Sequence, residues 1–219
     1  MGHNKEELSQ LVKEHGPWFH NIEFPHGILT NPAHPNNPSS IWKSVSKLLP
    51  STPGATVLDI GCNGGFMEIE LERLGYQVDA IDINPLYVRQ TTLVKDVFDL
   101  HCNVSQADIS KTSIGQYDII LLLGVIYHVD DMIGVLRNAL ASTKSAMIIE
   151  TAINGETQSV IDFMNYEIPY SYRFLPSLSA VSKMVEYCGG KVTTTDIWCP
   201  GVDGQRQGRR ASLLVSKKE

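Results

Sequence analysis

The sequence is poor in cysteine, in long apolar segments and in basic charge, and each shortage excludes a class of protein. Its four cysteines form no C-x-x-C pair and no metal-ligand spacing, so we expect reduced thiols and no metal site. The longest apolar run, residues 119–127, is far shorter than the ~20 residues that a membrane span needs. The first residues contain no apolar segment of the signal-peptide kind, so we expect a cytoplasmic protein without a membrane partner.

Acidic residues outnumber basic ones, 24 to 18, and the formal net charge is −6. This balance excludes a protein that coats nucleic acids through bulk charge, although a local basic patch is compatible with it. The 219 residues are 42% hydrophobic, which is typical of one globular domain with additional segments and excludes a disordered chain.

Strand-like and helix-like segments alternate from residue 56 onward, and the last two strands have no helix-length segment between them. This order predicts an α/β fold with an open, doubly wound, mostly parallel sheet of seven strands and a reversed terminal strand. The predicted strands are residues 56–60, 77–82, 101–105, 117–123, 146–151, 191–197 and 210–216.

The first 55 residues differ in character, and we predict that residues 1–55 form a cap on a cofactor-binding domain of residues 56–219. Helical spacing of apolar residues predicts a helix over residues 5–15, and the proline- and aromatic-rich residues 17–38 predict a structured loop or short hairpin. Ser39 or Ser40 is expected to cap a second helix.

A glycine-containing turn follows the first strand of the predicted domain, where α/β folds bind nucleotides. About 20 residues after Asp59, the next strand ends at Asp82, whose carboxylate is placed to accept both ribose hydroxyls of a nucleoside. The dinucleotide pattern G-x-G-x-x-G fails, because its later glycine positions are Asn63 and Phe66. A nicotinamide dehydrogenase is therefore disfavoured, and a cofactor with an ammonium group and no phosphate is favoured.

The pattern D-x-G-x-N-x-G resembles motif I of class I S-adenosylmethionine (SAM) methyltransferases, with Asn in place of the middle glycine. The resemblance implies a Rossmann-like methyltransferase fold and SAM as the cofactor. It also implies that Asp108 meets the adenine amino group and that the segment after the central strand lies beneath the sulfonium. The residues thus predicted to bind SAM are Asp59, Gly61, Cys62, Asn63, Gly65, Asp82, Ile83, Asn84, Asp108, Ile109, Gly124 and Tyr127.

The whole chain resembles a narrower group, the tRNA wobble-uridine methyltransferases and carboxymethyltransferases that complete 5-methoxy or 5-oxyacetyl uridine. The segments that carry this resemblance are residues 17–20, 22–27, 42–43, 124–128, 172–177 and 205–206. It implies that Lys43 and Tyr127 contact the cofactor. Carboxymethyl-transferring members have a Lys at the position of His20 and an Arg-Arg pair at Arg206-Gln207, so we expect ordinary SAM here and not carboxy-SAM. Their long N-terminal domain has no counterpart here, which favours a small-molecule acceptor over tRNA.

Methyl transfer requires alignment and, for an acceptor of high pKa, a general base. The candidates are His20 and His128, because imidazole titrates near neutral pH. We predict that the acceptor site includes Trp18, Tyr166, Tyr172, Arg173 and Arg206. The sequence thus predicts a SAM-dependent methyltransferase that acts on an oxygen, or a nitrogen, of a small or planar acceptor. The alternatives are a tRNA wobble-uridine methyltransferase and a SAM-binding regulatory protein without catalysis.

Overall fold

Strands and helices alternate through most of the chain in the computed structural model, which describes residues 3–33, 38–164, 174–199 and 209–218. Its strands are β1 (Glu23–Phe24), β2 (Ile28–Leu29), β3 (Thr56–Ile60), β4 (Gln77–Asp82), β5 (Asn103–Gln106), β6 (Tyr117–Leu123), β7 (Thr143–Ile153), β8 (Ile161–Phe163), β9 (Phe174–Pro176), β10 (Gly190–Trp198) and β11 (Arg209–Lys217). Its helices are α1 (Lys5–Glu14), α2 (Ser39–Val45), α3 (Phe66–Arg73), α4 (Pro85–Phe98), α5 (Met132–Ala141) and α6 (Leu178–Tyr187).

The central sheet has seven strands within the described residues, in the order β10-β11-β7-β6-β3-β4-β5. The strands from β7 to β5 in this order pair in parallel, whereas β11 is antiparallel to both β7 and β10. The predicted mostly parallel sheet with a reversed terminal strand is therefore confirmed. The reversed strand lies one place inside the edge, because β10 covers its outer side. The predicted bounds of β3, β4 and β6 match the observed ones, and β5 and β7 differ by a few residues.

Helices cover both faces of the sheet, which explains why the β6 side chains are apolar whichever face they point to. Ile120 and Leu122 point into a core with α5 and α6, and Ile119 and Leu121 point into a second core with α2 and α3. All four side chains are fully buried. No helix in the described ranges has both the length and the apolar character that crossing a membrane requires.

Helix α2 packs against the sheet near β7 and β11. Val45 lies in the second core, and Ser44 Oγ donates a hydrogen bond to Asp196 Oδ2 on β10 and is hydrogen-bonded to Ser212 Oγ on β11, each at 2.7 Å. These contacts join α2 to the sheet layer. The division at residue 55 into a cap and a cofactor-binding domain stays a prediction. The predicted serine cap is wrong, since α2 begins after Pro38, which has no side-chain capping bond and a φ of −67° that suits a helix start.

The predicted helix and short hairpin before residue 34 are present as α1 and the β1–β2 pair. They pack on the outer side of α3 and α4 through a third apolar cluster. Trp18 lies in this cluster, 5% exposed, and its indole Nε1 donates to Val12 O at 2.7 Å. Gln90 of α4 fixes the connection by donating to His15 O at 2.7 Å and to Pro17 O at 2.9 Å. Buried side chains of the N-terminal segment therefore attach it to α3 and α4.

The burial of Trp18 predicts a strong effect on stability. Trp18→Ala should lower the free energy of unfolding by about 3–5 kcal/mol, because it removes a buried ring and leaves a cavity. Phe19→Ala is the matched control, since the neighbouring ring is 47% exposed and should cost less than about 1 kcal/mol. Urea denaturation of both variants measures the difference. Equal losses would mean that the N-terminal segment is not packed as described.

Candidate functional site

The turn between β3 and α3 requires two of the glycines that the sequence singled out. Gly61 has a φ of +81°, and a Cβ atom there would lie 2.6 Å from Val125 Cγ2. Gly65 precedes α3 with a φ of +85°, and its Cβ would lie 3.0 Å from Val94 Cβ. Both the left-handed backbone and the lack of space exclude a side chain at these positions.

Asn63 stands at the middle position of this turn, and its conformation explains why an asparagine is accepted there. Its φ is +51°, in the left-handed region that Asn adopts more readily than other residues with a side chain. Its backbone N donates to Asp82 Oδ2 at 3.1 Å, and its carbonyl accepts from Thr91 Oγ1 at 2.8 Å. Its side-chain Oδ1 is buried without a hydrogen-bond partner among the described residues, which leaves an acceptor at the turn. Cys62 is buried beside it, with Sγ 3.5 Å from Thr91 Oγ1.

Asp82 ends β4 beside the turn and is 7% exposed. Its two carboxylate oxygens accept from Asn63 N and from Asn84 N, the latter at 2.8 Å. Burial raises the pKa of Asp82, and the backbone hydrogen bonds from Asn84, Asn63 and Ile83 oppose that rise. Ile83 is 62% exposed next to this carboxylate, while the Asn84 side chain caps α4 at Leu86 N. The end of β4 therefore presents a fixed carboxylate and an exposed apolar side chain together.

Asp59 lies behind the turn and is 1% exposed, so the structure places it below the surface on which a cofactor would lie. Burial raises its pKa to about 7, a hydrogen bond with Glu68 lowers it, and the charge of Asp82 adds to the rise. Sequence reasoning missed Glu68, which is fully buried in the first turn of α3. An acidic residue is common at a helix start, and only tertiary packing distinguishes this one from an exposed Glu.

The adenine-side prediction falls on residues that follow β5. Asp108 Oδ1 accepts from Ser110 N at 2.9 Å, and its Oδ2 lies 3.0 Å from Lys111 Nζ. The hydrogen bond from Ser110 and then the one from Lys111 lower the pKa of Asp108, so it is ionised at neutral pH. The Ile109 side chain is 6% exposed and belongs to the core, so any cofactor contact at Ile109 would come from its backbone.

A second cluster of polar side chains lies near the ends of β6 and β7. Arg210 on β11 makes a two-pronged ion pair with the fully buried Glu150 on β7, with Nη2 2.8 Å from Glu150 Oε2. The same Nη2 donates to Tyr127 Oη at 3.1 Å, and the guanidinium lies 5.6 Å from the centre of the Tyr127 ring. A Cβ at Gly124 would lie 3.1 Å from Tyr127 Oη. Sequence reasoning did not place Glu150 in the site, although a glutamate inside an apolar strand signals a buried partner.

The other predicted site residues are placed less centrally or are not described. Trp18, a predicted acceptor-site residue, is buried, and its ring packs against Gly64, where a Cβ would lie only 3.3 Å from Trp18 Cε3. His20 lies beside Phe19, with ring centres 5.1 Å apart, and His128 lies 4.3 Å from the Tyr127 ring. Lys43 lies on the exposed side of α2. Four predicted residues fall outside the described residues: Tyr166, Tyr172, Arg173 and Arg206.

The arrangement fits a cationic nucleoside cofactor. Asp82 offers a fixed carboxylate for hydroxyl groups, and Asn63 Oδ1 and Asp59 Oδ1 are buried acceptors without partners in the described part of the chain. These groups lie at the carboxyl ends of parallel strands, the edge at which open α/β sheets bind ligands. An anionic pyrophosphate would meet acidic groups here, whereas an ammonium or sulfonium group would be stabilised.

Comparisons with known proteins identify a family model and relatives that this chain matches. A family model described as Methyltransferase domain matches residues 34–191. The ubiquinone biosynthesis O-methyltransferase of Xanthomonas campestris pv. campestris (strain B100) is 27% identical over 148 residues, which cover 66% of this chain and 61% of that protein. The tRNA U34 carboxymethyltransferase of Shewanella amazonensis (strain ATCC BAA-1098 / SB2B) is 26% identical over 207 residues, which cover 90% of this chain and 61% of that protein. The chain thus spans about three fifths of the length of these relatives.

A solved structure has the same fold. The N-terminal domain of EvdMO1 with SAH bound matches with a TM-score of 0.74 at 16% sequence identity, over 100% of this chain and 98% of that one. The similarity extends over the whole chain and therefore includes the sheet and the turn between β3 and α3.

Asp82 provides a direct test of the cofactor site. Asp82→Ala should weaken SAM binding by about 1.5–3 kcal/mol, because it removes charge-assisted hydrogen bonds to the ribose. Asp79→Ala is the matched control on the same strand, since Asp79 bonds to Tyr117 Oη and Asn103 Nδ2, both at 2.7 Å, and should leave binding unchanged. Calorimetric titration compares the two variants. Unchanged affinity in Asp82→Ala would exclude the assignment of Asp82 to the ribose.

The Arg210–Glu150 pair predicts a stability effect. Arg210→Leu should lower the free energy of unfolding by about 3–5 kcal/mol, because Glu150 would remain as a buried charge without its partner. The double variant Arg210→Leu, Glu150→Leu should lose less than the single variant, since no uncompensated charge remains. Chemical denaturation of the two proteins measures the difference, and a double variant that is the less stable of the two would contradict this account.

Proposed function

Because this chain belongs to the methyltransferase-domain family and has the fold of the class I SAM-dependent methyltransferases, we propose that it transfers a methyl group from SAM to an oxygen or nitrogen of a small or planar acceptor. The observation that carries the proposal is the hydrogen bond from Asn63 N to Asp82 Oδ2, which joins the glycine turn to the carboxylate of the next strand. The bond fixes an acceptor carboxylate beside the turn, which supports a ribose-bearing cofactor.

The chain's own groups divide the work of binding and alignment. SAM supplies the methyl group as an electrophile on its sulfonium, and in-line displacement then depends on alignment of the acceptor. Asp82 would hold the ribose, Ile83 would cover the adenine, and the backbone of the Gly61–Gly65 turn would lie along the methionyl part. The low exposure of Asp82 keeps competing water from its carboxylate.

The acceptor side is proposed to lie at the ends of β6 and β7, around Tyr127. Arg210 holds the Tyr127 hydroxyl, and Glu150 neutralises Arg210. This pairing makes Arg210 a support for Tyr127, because its charge is already compensated. His128, at the end of the short helix Ile126–His128, is the candidate base next to Tyr127, and His20 is the second candidate.

The relatives support two acceptor classes. The similarity to a ubiquinone biosynthesis O-methyltransferase supports oxygen on a small planar acceptor. The similarity to a tRNA U34 carboxymethyltransferase extends over 90% of this chain, which supports a wobble uridine as the second candidate. Transfer of labelled methyl from SAM to catechols, to 5-hydroxyuridine and to tRNA bearing that base separates the two classes. We expect a labelled small acceptor, and label found in tRNA alone would favour the second candidate.

Removing a candidate base should lower turnover more than it lowers cofactor affinity. His20→Ala or His128→Ala should lower kcat about 10²–10⁴-fold if that imidazole removes the acceptor's proton, with SAM affinity changed less. His101→Ala is the control, because this exposed histidine precedes β5, at the opposite end of the sheet. Steady-state kinetics and SAM titration measure both quantities. Full turnover in both variants would show that the acceptor ionises without help from either histidine.

A further inference from the structure

Glu68 is a buried carboxyl group that the proposed methyl transfer does not use. It lies in the first turn of α3, directly after the glycine turn, and has no solvent exposure. Neither of its carboxyl oxygens accepts a hydrogen bond from a described residue. An ionised carboxylate in such a place would be strongly destabilising, so the protonated form is favoured.

Among the neighbouring groups, Asp59 on β3 has the largest effect on the pKa of Glu68, and it is buried to a similar extent. Burial raises the pKa of Glu68 well above its usual range, and the charge of Asp59 raises it further. In the same pair, the hydrogen bond from Glu68 lowers the pKa of Asp59. Glu68 is therefore the acid of the pair and Asp59 the group that ionises first, near pH 7.

The other titratable groups around Glu68 do not change this order. Asp82 on β4 adds negative charge and favours the protonated form of Glu68. Burial raises the pKa of Cys62 in the turn and of Cys102 before β5, which keeps both thiols neutral. Beyond them, Glu72 and Lys95 act on Cys102 with opposite signs. No Lys, Arg or His forms an ion pair with Glu68 or Asp59 in the ranges that the structure describes.

We propose that Glu68 is a positioning residue of the cofactor site, a neutral carboxylic acid that donates a hydrogen bond to Asp59 and so keeps Asp59 as the anion behind the Gly61–Gly65 turn. The anion acts on the methionyl ammonium of the cofactor across a short, poorly solvated distance. This role goes beyond the proposed transfer reaction, because it concerns cofactor affinity and its pH dependence, and it rests on SAM as the cofactor.

The test compares a variant that keeps the donor with one that lacks it. Glu68→Gln retains an N–H donor toward Asp59 and should bind S-adenosylhomocysteine within about threefold of the wild type at pH 7. Glu68→Met has similar length but no donor, so the pKa of Asp59 rises and affinity at pH 7 should fall roughly five- to tenfold. Glu72→Met is the control on the same helix, because Glu72 bonds to the backbone of His101 and Cys102.

The pH profile separates this role from a structural one. Affinity of the wild type should rise with pH up to about 7, where Asp59 becomes ionised, and then level off. The Met variant should level off at a higher pH, whereas the Gln and Glu72→Met variants should follow the wild type. The α-amino group of the ligand titrates near 8 in every case, so the ratio between proteins isolates Asp59.

Two results would overturn the proposal. One is a folded Glu68→Met variant with the affinity and pH profile of the wild type; the other is a Gln variant that behaves like the Met variant, which would mean that Glu68 acts as an anion. If Glu68→Met fails to fold, the infrared carbonyl band of a protonated carboxylic acid decides: it should be present in the wild type at pH 7.5 and absent in Glu68→Gln. Failure of the wild type to bind S-adenosylhomocysteine would instead overturn the choice of cofactor.

Discussion

The site depends on the attachment of the glycine turn to the neighbouring strand β4. Gly61 N donates to Ile81 O at 2.8 Å, and Asn63 N donates to Asp82 Oδ2 at 3.1 Å. The turn follows β3, but these bonds fix it to the end of β4, and the same carboxylate that orders the turn faces the ligand. Binding and loop order are therefore coupled, because a change at Asp82 alters both at once.

Helix α4 connects this turn with the N-terminal segment through two consecutive buried residues. Thr91 donates to Asn63 O, and Gln90 donates to His15 O and Pro17 O. Trp18 extends the connection by packing on Gly64 from the outside. The segment thus supports the turn from behind.

The sequence was sufficient for features that local chemistry determines. Apolar runs bounded by turns gave the bounds of β3, β4 and β6, and the strand-end carboxylate with its glycine turn gave the cofactor class. Features that depend on distant packing were not predictable: the buried Glu68 has the same local pattern as an exposed helix-start residue. The Arg210–Glu150 pair joins β11 to β7 across 60 positions of sequence, and no local pattern encodes it. Burial of Trp18 likewise follows from tertiary contacts with α3 and α4.

The charge of the site determines which cofactors it admits. Three carboxyl groups, those of Asp59, Glu68 and Asp82, surround the turn, and all have raised pKa values because they are buried together. A pyrophosphate at the start of α3 would meet the negative charges of Asp59 and Asp82, although a helix start normally attracts anions. A ligand with a sulfonium and an ammonium group reverses the sign of the interaction and stabilises the ionised forms of Asp59 and Asp82. The acidic groups thus disfavour dinucleotides and favour SAM. Asn63, which breaks the dinucleotide pattern, donates the backbone N–H that holds Asp82 in place.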